Sequence, residues 1–121
     1  MKSCLIVDDS RVMRKIASRI LQDLQFATDE AEDGLVALAA CRGKMPELIL
    51  LDCTMPNMNG IEFLKSLRRE RGGDQPVVVF CTAENDSAHI AEAFGAGANE
   101  YLLKPFDREA IEAKLAEVGL A

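Results

Sequence analysis

Histidine, tryptophan and paired cysteines are scarce in this sequence, and the scarcity excludes whole classes of site. The 121 residues include one histidine, no tryptophan and four cysteines. Zinc sites are built from closely spaced cysteines and histidines, and none of these cysteines forms a C-x-x-C pair. The sequence therefore predicts no zinc centre, and cysteines placed within apolar segments are typical of a reducing, cytoplasmic environment.

Basic charge and long apolar runs are missing as well. Asp and Glu outnumber Lys and Arg by 20 to 14, which gives a net charge of −6 and argues against binding to the phosphates of nucleic acids. No apolar run approaches the ~20 residues that a membrane-spanning helix needs. The first residues lead directly into an apolar segment, so we expect no signal peptide. The composition thus predicts a cytoplasmic protein that binds neither nucleic acid nor membrane.

Five strand-like segments alternate with five helical patterns along the chain. Four of the segments are short apolar runs, as in strands buried on both faces of a parallel sheet, and residues 25–31 form a weaker one. Repeated β-α units produce a parallel sheet with helices on both faces. The sequence therefore predicts one α/β domain over residues 1–121: a doubly wound, flavodoxin-like, five-stranded parallel sheet of order 2-1-3-4-5 with five helices.

The helices are marked by capping residues and by apolar residues at helical spacing. We expect Ser10, Asp33, Asp86 and Asp107 to open the first, second, fourth and fifth helices. The residues expected on the apolar faces of the first two helices are Met13, Ile16, Ala17, Ile20, Leu21, Leu24, Leu35, Leu38 and Ala39.

Polar residues stand at the carboxyl ends of four of the predicted strands. They are Asp8 and Asp9 after the first strand, Asp52 after the third, Thr82 after the fourth and Lys104 after the fifth. Ligands of open parallel α/β sheets bind in the crevice at this edge. We therefore expect three carboxylates, a hydroxyl and an ammonium group to form one site.

The chemistry of this set favours phosphoryl transfer. Three converging carboxylates repel one another, which raises a carboxyl pKa unless a cation intervenes. Lys104 supplies one positive charge, and a divalent cation would supply the rest. Oxygen ligands favour Mg²⁺ or Mn²⁺ over zinc. Around such an ion a carboxylate can act as the nucleophile and form an aspartyl phosphate.

Four short motifs surround these positions in order along the chain. They are Asp8-Asp9, Asp52-x-x-Met55-Pro56-x-x-x-Gly60, Thr82-Ala83 and Lys104-Pro105-Phe106. Over its whole length the sequence resembles the receiver domains of two-component response regulators. The resemblance implies that Asp52 accepts a phosphoryl group from a histidine kinase or a histidine phosphotransfer protein. It also implies a phosphorylation-controlled binding module rather than an enzyme.

The resemblance implies a set of metal ligands. Asp9 and Asp52 would bind Mg²⁺ directly, Asp8 would act through a water molecule, and Thr54 would contribute its main-chain carbonyl.

The resemblance implies further roles around the phosphoryl group. Thr82 and Lys104 would contact its oxygens, and the peptide bond after Lys104 would be cis. Tyr101 would be the aromatic switch residue that moves between exposed and buried positions. Cys53 and Thr54, which follow the acceptor, and Glu84 would flank the phosphoryl group and set its lifetime.

The phosphorylated state needs a reader. The few residues after Lys104 suffice for one helix, so we expect no output domain and a monomer that a separate target protein binds. The resemblance places the target surface on the face formed by helix 4, strand 5 and helix 5. Roles in chemotaxis and in a phosphorelay or cell-cycle circuit both remain open. The candidate contacts are Ile90, Ala91, Phe94, Tyr101, Leu102, Lys104 and Arg108.

Two other functions are alternatives to this interpretation. A haloacid-dehalogenase-like phosphatase also forms an aspartyl phosphate on an α/β sheet. It would carry a second Asp two residues after the nucleophile, where Thr54 stands here. A pseudo-receiver scaffold would work without phosphorylation, whereas every residue that the chemistry needs is present.

Overall fold

Five strands alternate with five helices in the part of the chain that the structure describes. The structure is a computed structural model that describes residues 1–83 and 87–120. The strands are β1 (Lys2–Val7), β2 (Phe26–Ala31), β3 (Leu48–Asp52), β4 (Val77–Thr82) and β5 (Glu100–Leu103). The helices are α1 (Arg11–Asp23), α2 (Gly34–Gly43), α3 (Gly60–Arg69), α4 (Ser87–Ala96) and α5 (Arg108–Glu117). Among the described residues, no helix is long and apolar enough to cross a membrane.

The strands form one parallel sheet of order β2-β1-β3-β4-β5. The predicted doubly wound, flavodoxin-like α/β fold is therefore confirmed. Buried side chains of α1 and α5 pack on one face of the sheet, and those of α2, α3 and α4 pack on the other. Every residue of β3 is buried, and its side chains alternate between the two cores. Asp52 is thus the last residue of a strand that contributes to both cores.

Side-chain caps start three helices where the sequence predicts them. Ser10, Asp33 and Asp107 each accept a hydrogen bond from the backbone N–H three residues further on, at 3.2, 2.9 and 2.9 Å. Such caps satisfy backbone donors that have no partner within the helix. The predicted opening of α4 at Asp86 lies outside the described residues.

Some residues predicted on inward helix faces are exposed instead. Ile16 of α1 is 44% exposed and Leu35 of α2 is 53% exposed, and Ala39 is exposed as well. Successive helical residues are about 100° apart, so Ile16 lies beside the buried stripe that Ala17 and Leu21 form. The side chains of α2 that enter the core are Ala37, Leu38 and Cys41.

Gly60 allows α3 to begin directly against the end of β3. A Cβ atom at this position would lie 2.5 Å from the carbonyl oxygen of Asp52 and 3.1 Å from Cα of Cys53. Both are backbone atoms, so neither can move without shifting the end of the strand. The N–H of Gly60 donates to the carbonyl of Cys53 at 3.2 Å. The approach of α3 to the strand that bears Asp52 therefore requires glycine.

Gly60→Ala is expected to lower the free energy of unfolding by about 2 kcal/mol, because overpacking against backbone forces the strand end to move. Gly95→Ala is the matched control, since Gly95 also lies in a helix and an added Cβ there meets nothing within 4 Å. The control should gain about 0.5–1 kcal/mol from helix propensity. Chemical denaturation measures both, and equal stability of the two variants would contradict the close approach.

Candidate functional site

The three predicted carboxylates meet at the carboxyl edge of the sheet. Asp8 and Asp9 follow β1, and Asp52 is the last residue of the neighbouring β3. One carboxylate oxygen of each residue lies within 4.8 Å of the others. Asp8 and Asp52 are buried, whereas Asp9 is exposed. Strand pairing thus gathers positions that are distant in sequence into one acidic cluster.

Lys104 lies between two of these carboxylates. Its Nζ donates to Oδ2 of Asp8 at 2.8 Å and to Oδ1 of Asp52 at 2.9 Å, and its side chain is only 17% exposed. The backbone N–H of Lys104 donates to the carbonyl of Thr82 at 2.8 Å, which extends the pairing of β4 and β5 to this residue. The peptide bond after Lys104 is cis, as predicted.

The carboxylates differ in how many hydrogen bonds they already accept. Oδ1 of Asp8 accepts from the N–H of Ser10 at 2.9 Å, and Oδ2 accepts from Lys104. Asp52 accepts from Lys104 through Oδ1. Within residues 1–83 and 87–120, no hydrogen bond reaches the second oxygen of Asp52 or the carboxylate of Asp9. A cation therefore meets more available oxygens on Asp52 and Asp9 than on Asp8.

The charges of the acidic cluster favour the binding of a further cation. Burial raises the pKa of Asp52, the hydrogen bond from Lys104 opposes this rise, and repulsion from Asp8 and Asp9 adds to it. Burial lowers the pKa of Lys104, but its hydrogen bonds to Asp8 and Asp52 outweigh burial and raise the pKa above its ordinary value. Within the described residues, the Lys104 ammonium bonds to two of the three carboxylates, so the ionised cluster keeps an excess of negative charge. Its hard oxygen donors fit Mg²⁺ or Mn²⁺.

Thr82 reaches the same edge of the sheet from β4. It is the last residue of that strand and follows Cys81, which pairs with Asp52. Both Thr82 and Cys81 are buried. Burial raises the pKa of the Cys81 thiol to about 12, so the thiol stays protonated beside the cluster.

The loop after Asp52 is tied to the start of α2. Cys53 is half-buried and Thr54 is exposed. Asn57 has a left-handed φ of 66°, and its Nδ2 donates to Oδ2 of Asp33 at 2.8 Å. The sequence did not predict this contact, although asparagine in a turn is the residue type that tolerates such a backbone. Glu84, predicted to flank the same site, lies outside the described residues.

Tyr101 contacts both helices that flank β5. Its ring meets Phe94 of α4 edge to face, with centroids 6.3 Å apart and planes at 87°. Nζ of Lys114 on α5 lies 4.9 Å from the centroid of the tyrosine ring. Lys114 also pairs with Glu100 at 3.4 Å and with Glu117 at 3.3 Å. The half-buried Tyr101 thus links α4 to α5.

Two of the predicted target contacts do not lie on the surface formed by α4, β5 and α5. Leu102 is buried among the side chains of the core that α1 and α5 cover. It faces away from Tyr101 because successive strand residues point to opposite faces. Lys104 is engaged with the acidic cluster instead. Ile90 is half-buried, and the exposed candidates are Ala91, Phe94 and Arg108.

Arg14 of α1 contacts the main chain of Asp8, a contact that the sequence did not predict. Nη1 of Arg14 donates to the main-chain carbonyl of Asp8 at 2.7 Å, and its Nε donates to Oε1 of Glu30 on β2 at 3.1 Å. The Arg14 side chain is 14% exposed. The sequence gives no signal for this contact. Arg14 is one of several basic residues in α1, and the others, Arg11, Lys15 and Arg19, are exposed.

Comparison with known proteins points to one family. A sequence profile of the response regulator receiver domain matches residues 4–116. The chain belongs to the response regulator receiver family. This chain is 39% identical over 115 residues to the chemotaxis protein CheY-3 of Vibrio cholerae. The alignment covers 94% of this chain and 88% of CheY-3.

Solved structures of receivers share its fold. The chemotaxis protein CheY4 of Vibrio cholerae superposes with a TM-score of 0.93 at 33% identity, over 98% of each chain. The receiver domain of the sensor histidine kinase PA1611 of Pseudomonas aeruginosa superposes with a TM-score of 0.88 at 25% identity, over 96% of this chain and 95% of that one. That receiver has a magnesium ion coordinated in its active-site cleft.

Asp52→Asn is expected to stabilise the fold by about 1 kcal/mol at neutral pH, a typical size for one site. The raised pKa of Asp52 means that the folded state holds this proton more tightly than the unfolded chain does, so ionisation lowers stability. That loss is absent below the ordinary pKa of 3.8 and grows as the pH rises through the higher native value. Chemical denaturation of the wild type and the variant at several pH values measures this pH-dependent difference in the free energy of unfolding. The advantage of the variant should vanish in acid and should not appear for Asp29→Asn, an exposed carboxylate.

Lys104→Met is expected to tighten Mg²⁺ binding roughly tenfold, since unit charges about 4 Å apart near a protein surface repel by about 1–4 kcal/mol. The variant also releases the oxygens of Asp8 and Asp52 that Nζ now holds. Titration calorimetry measures the affinity. Lys114→Met removes the same charge far from the cluster and should change little. Weaker binding in Lys104→Met would mean that the ammonium group positions the carboxylates rather than competing with the ion.

Proposed function

We propose that this receiver is a phosphorylation-controlled switch in which Asp52 accepts a phosphoryl group from a histidine kinase or a histidine phosphotransfer protein. The observation that carries the proposal is the convergence of Asp8, Asp9 and Asp52 within 4.8 Å, with Lys104 bonded to two of them. In the reaction, the bond from phosphorus to the donor histidine nitrogen breaks and a bond to a carboxylate oxygen of Asp52 forms. The histidine then takes up a proton from solvent.

A divalent cation, Mg²⁺ or Mn²⁺, would be held by Asp9 and Asp52 directly, by Asp8 through a water molecule and by the main-chain carbonyl of Thr54. When bound, the ion supplies the positive charge that neutralises phosphoryl oxygens. The existing hydrogen bonds on both oxygens of Asp8 support its indirect role, because a direct ligand would have to give up one of them. The magnesium of the similar PA1611 receiver supports the same assignment.

Lys104 and Thr82 would detect the new group. The ammonium of Lys104 already lies 2.9 Å from Asp52 Oδ1, so it can transfer its hydrogen bond to a phosphoryl oxygen with little movement. Thr82, one residue beyond the partner of Asp52 in the sheet, would offer its hydroxyl. Phosphorylation adds roughly −1.5 to −2 charges and three acceptor oxygens at one point, which supports inward movement of both groups.

The output would be a change in protein binding on the face formed by α4, β5 and α5. Tyr101 would act as the switch residue, because it contacts Phe94 and Lys114 on the two helices. The target would be a separate protein that binds the monomer, and the similarity to CheY-3 supports a chemotaxis target over a phosphorelay. Family membership and Thr54 two residues after Asp52 both argue against a haloacid-dehalogenase-like phosphatase.

Incubation with Mg²⁺ and acetyl phosphate, followed by intact-mass measurement, tests the proposal. The wild type should gain one phosphoryl group, because the cluster provides both the nucleophile and the metal ligands. Asp52→Asn should gain none, and a chelator should abolish the gain in the wild type, whereas Asp29→Asn should react normally. An adduct that survives Asp52→Asn would overturn Asp52 as the acceptor and place the phosphoryl group on another residue. No adduct on the wild type would overturn the proposal and favour the pseudo-receiver scaffold.

A further inference from the structure

The main-chain carbonyl of Asp8 lies just beyond the last paired residues of β1 and β2. Val7 pairs with Ala31, and the N–H of Asp8 still donates to the carbonyl of Ala31 at 3.1 Å. Because β2 ends at Ala31, the strand offers no further paired residue to the carbonyl of Asp8. Nη1 of Arg14 supplies the donor instead, at 2.7 Å.

Glu30 fixes the direction of the Arg14 side chain. Its Oε1 accepts from Nε of Arg14 at 3.1 Å, and its Oε2 accepts from Nζ of Lys15 at 2.8 Å. The hydrogen bond from Lys15, with a further one from Arg14, holds the pKa of Glu30 below its ordinary value although burial opposes this. A guanidinium group is planar and presents its donors in a fixed fork. The bond through Nε therefore determines where Nη1 points.

We propose that Arg14 is a positioning residue for the acidic cluster and that Glu30 orients the Arg14 side chain. The proposal rests on the proposed function, since the cluster matters only as a cation and phosphoryl site. The carbonyl of Asp8 belongs to the same rigid peptide plane as the N–H of Asp9. By holding that plane, Arg14 sets the directions in which the side chains of Asp8 and Asp9 leave the backbone. Arg14 donates to the Asp8 carbonyl and to Glu30, so in this proposal it acts through the backbone and not as a ligand.

Whether Mg²⁺ binding tightens or weakens when Arg14 is removed distinguishes a positioning role from a purely electrostatic one. A guanidinium group beside the acidic cluster repels a divalent cation, so its removal would tighten Mg²⁺ binding if charge were its only effect. Loss of positioning acts in the opposite direction, because supporting residues of metal sites cost roughly 10–100-fold in affinity when they are removed. Weakened binding after loss of a nearby cation is therefore specific to positioning.

Titration of the full chain with MgCl₂ in a calorimeter tests the proposal without reference to phosphorylation. Arg14→Gln is expected to weaken Mg²⁺ binding about tenfold. Arg14→Lys should weaken it nearly as much, because an ammonium keeps the charge but lacks the two diverging donors. Arg42→Gln is the matched control: it breaks the ion pair between Arg42 of α2 and Glu70, which follows α3, and should leave the affinity unchanged.

The role of Glu30 is tested in the same assay. Glu30→Gln should weaken Mg²⁺ binding when Arg14 is present and should have no further effect in the Arg14→Gln background. A charge effect of Glu30 on the ion would persist in both backgrounds, so equal losses would overturn the claim that Glu30 acts through Arg14.

The remaining outcomes decide between the two proposals. Unchanged or tighter Mg²⁺ binding by a folded Arg14→Gln variant overturns the positioning role alone, provided that the wild type binds the ion. A wild type that does not bind Mg²⁺ overturns the proposed function and the positioning role together. Circular dichroism and thermal unfolding without metal check the fold, and Arg14→Lys decides the question if Arg14→Gln does not fold.

Discussion

The attraction between one ammonium group and two buried carboxylates holds the carboxyl edge of the sheet together. Lys104 follows β5, whereas Asp8 and Asp52 belong to the ends of β1 and β3, so one side chain connects loops from three strands. Without that cation, repulsion among the carboxylates would favour separation of these loops. The ammonium group balances only part of the negative charge, and the remaining excess is what a divalent ion would neutralise.

The rest of the fold supports this electrostatically costly edge. Every residue of β3 is buried, and its side chains contribute to the cores on both faces of the sheet. Apolar burial of this kind is the main favourable contribution to folding, and it fixes the position from which Asp52 emerges. Gly60 then lets α3 pack directly on the Asp52 backbone. Functional sites commonly cost stability in this way, and the surrounding core offsets the cost.

The strand-end residues were predictable because a parallel sheet converts periodic sequence patterns into one shared edge. The predicted strand order alone places Asp8, Asp52 and Lys104 at one edge of the sheet. Contacts that depend on helix packing were not predictable: the apolar stripe of α1 did not reveal that Ile16 is exposed, and nothing in the sequence distinguished Arg14 from its basic neighbours. Leu102 was a different kind of error, since strand alternation alone puts it opposite Tyr101.

Among the described residues, the Tyr101 ring makes an aromatic contact with Phe94 and a cation–π contact with Lys114, both of modest strength. An edge-to-face aromatic pair contributes about 0.5–1.5 kcal/mol, and a partly exposed cation–π contact contributes roughly 0.5–1 kcal/mol. A free-energy gap of one or two kcal/mol corresponds to population ratios of only about 5 to 30. Contacts of this strength are compatible with the proposed switch of Tyr101, because a target protein that bound another position of the ring would need little binding energy to overcome them.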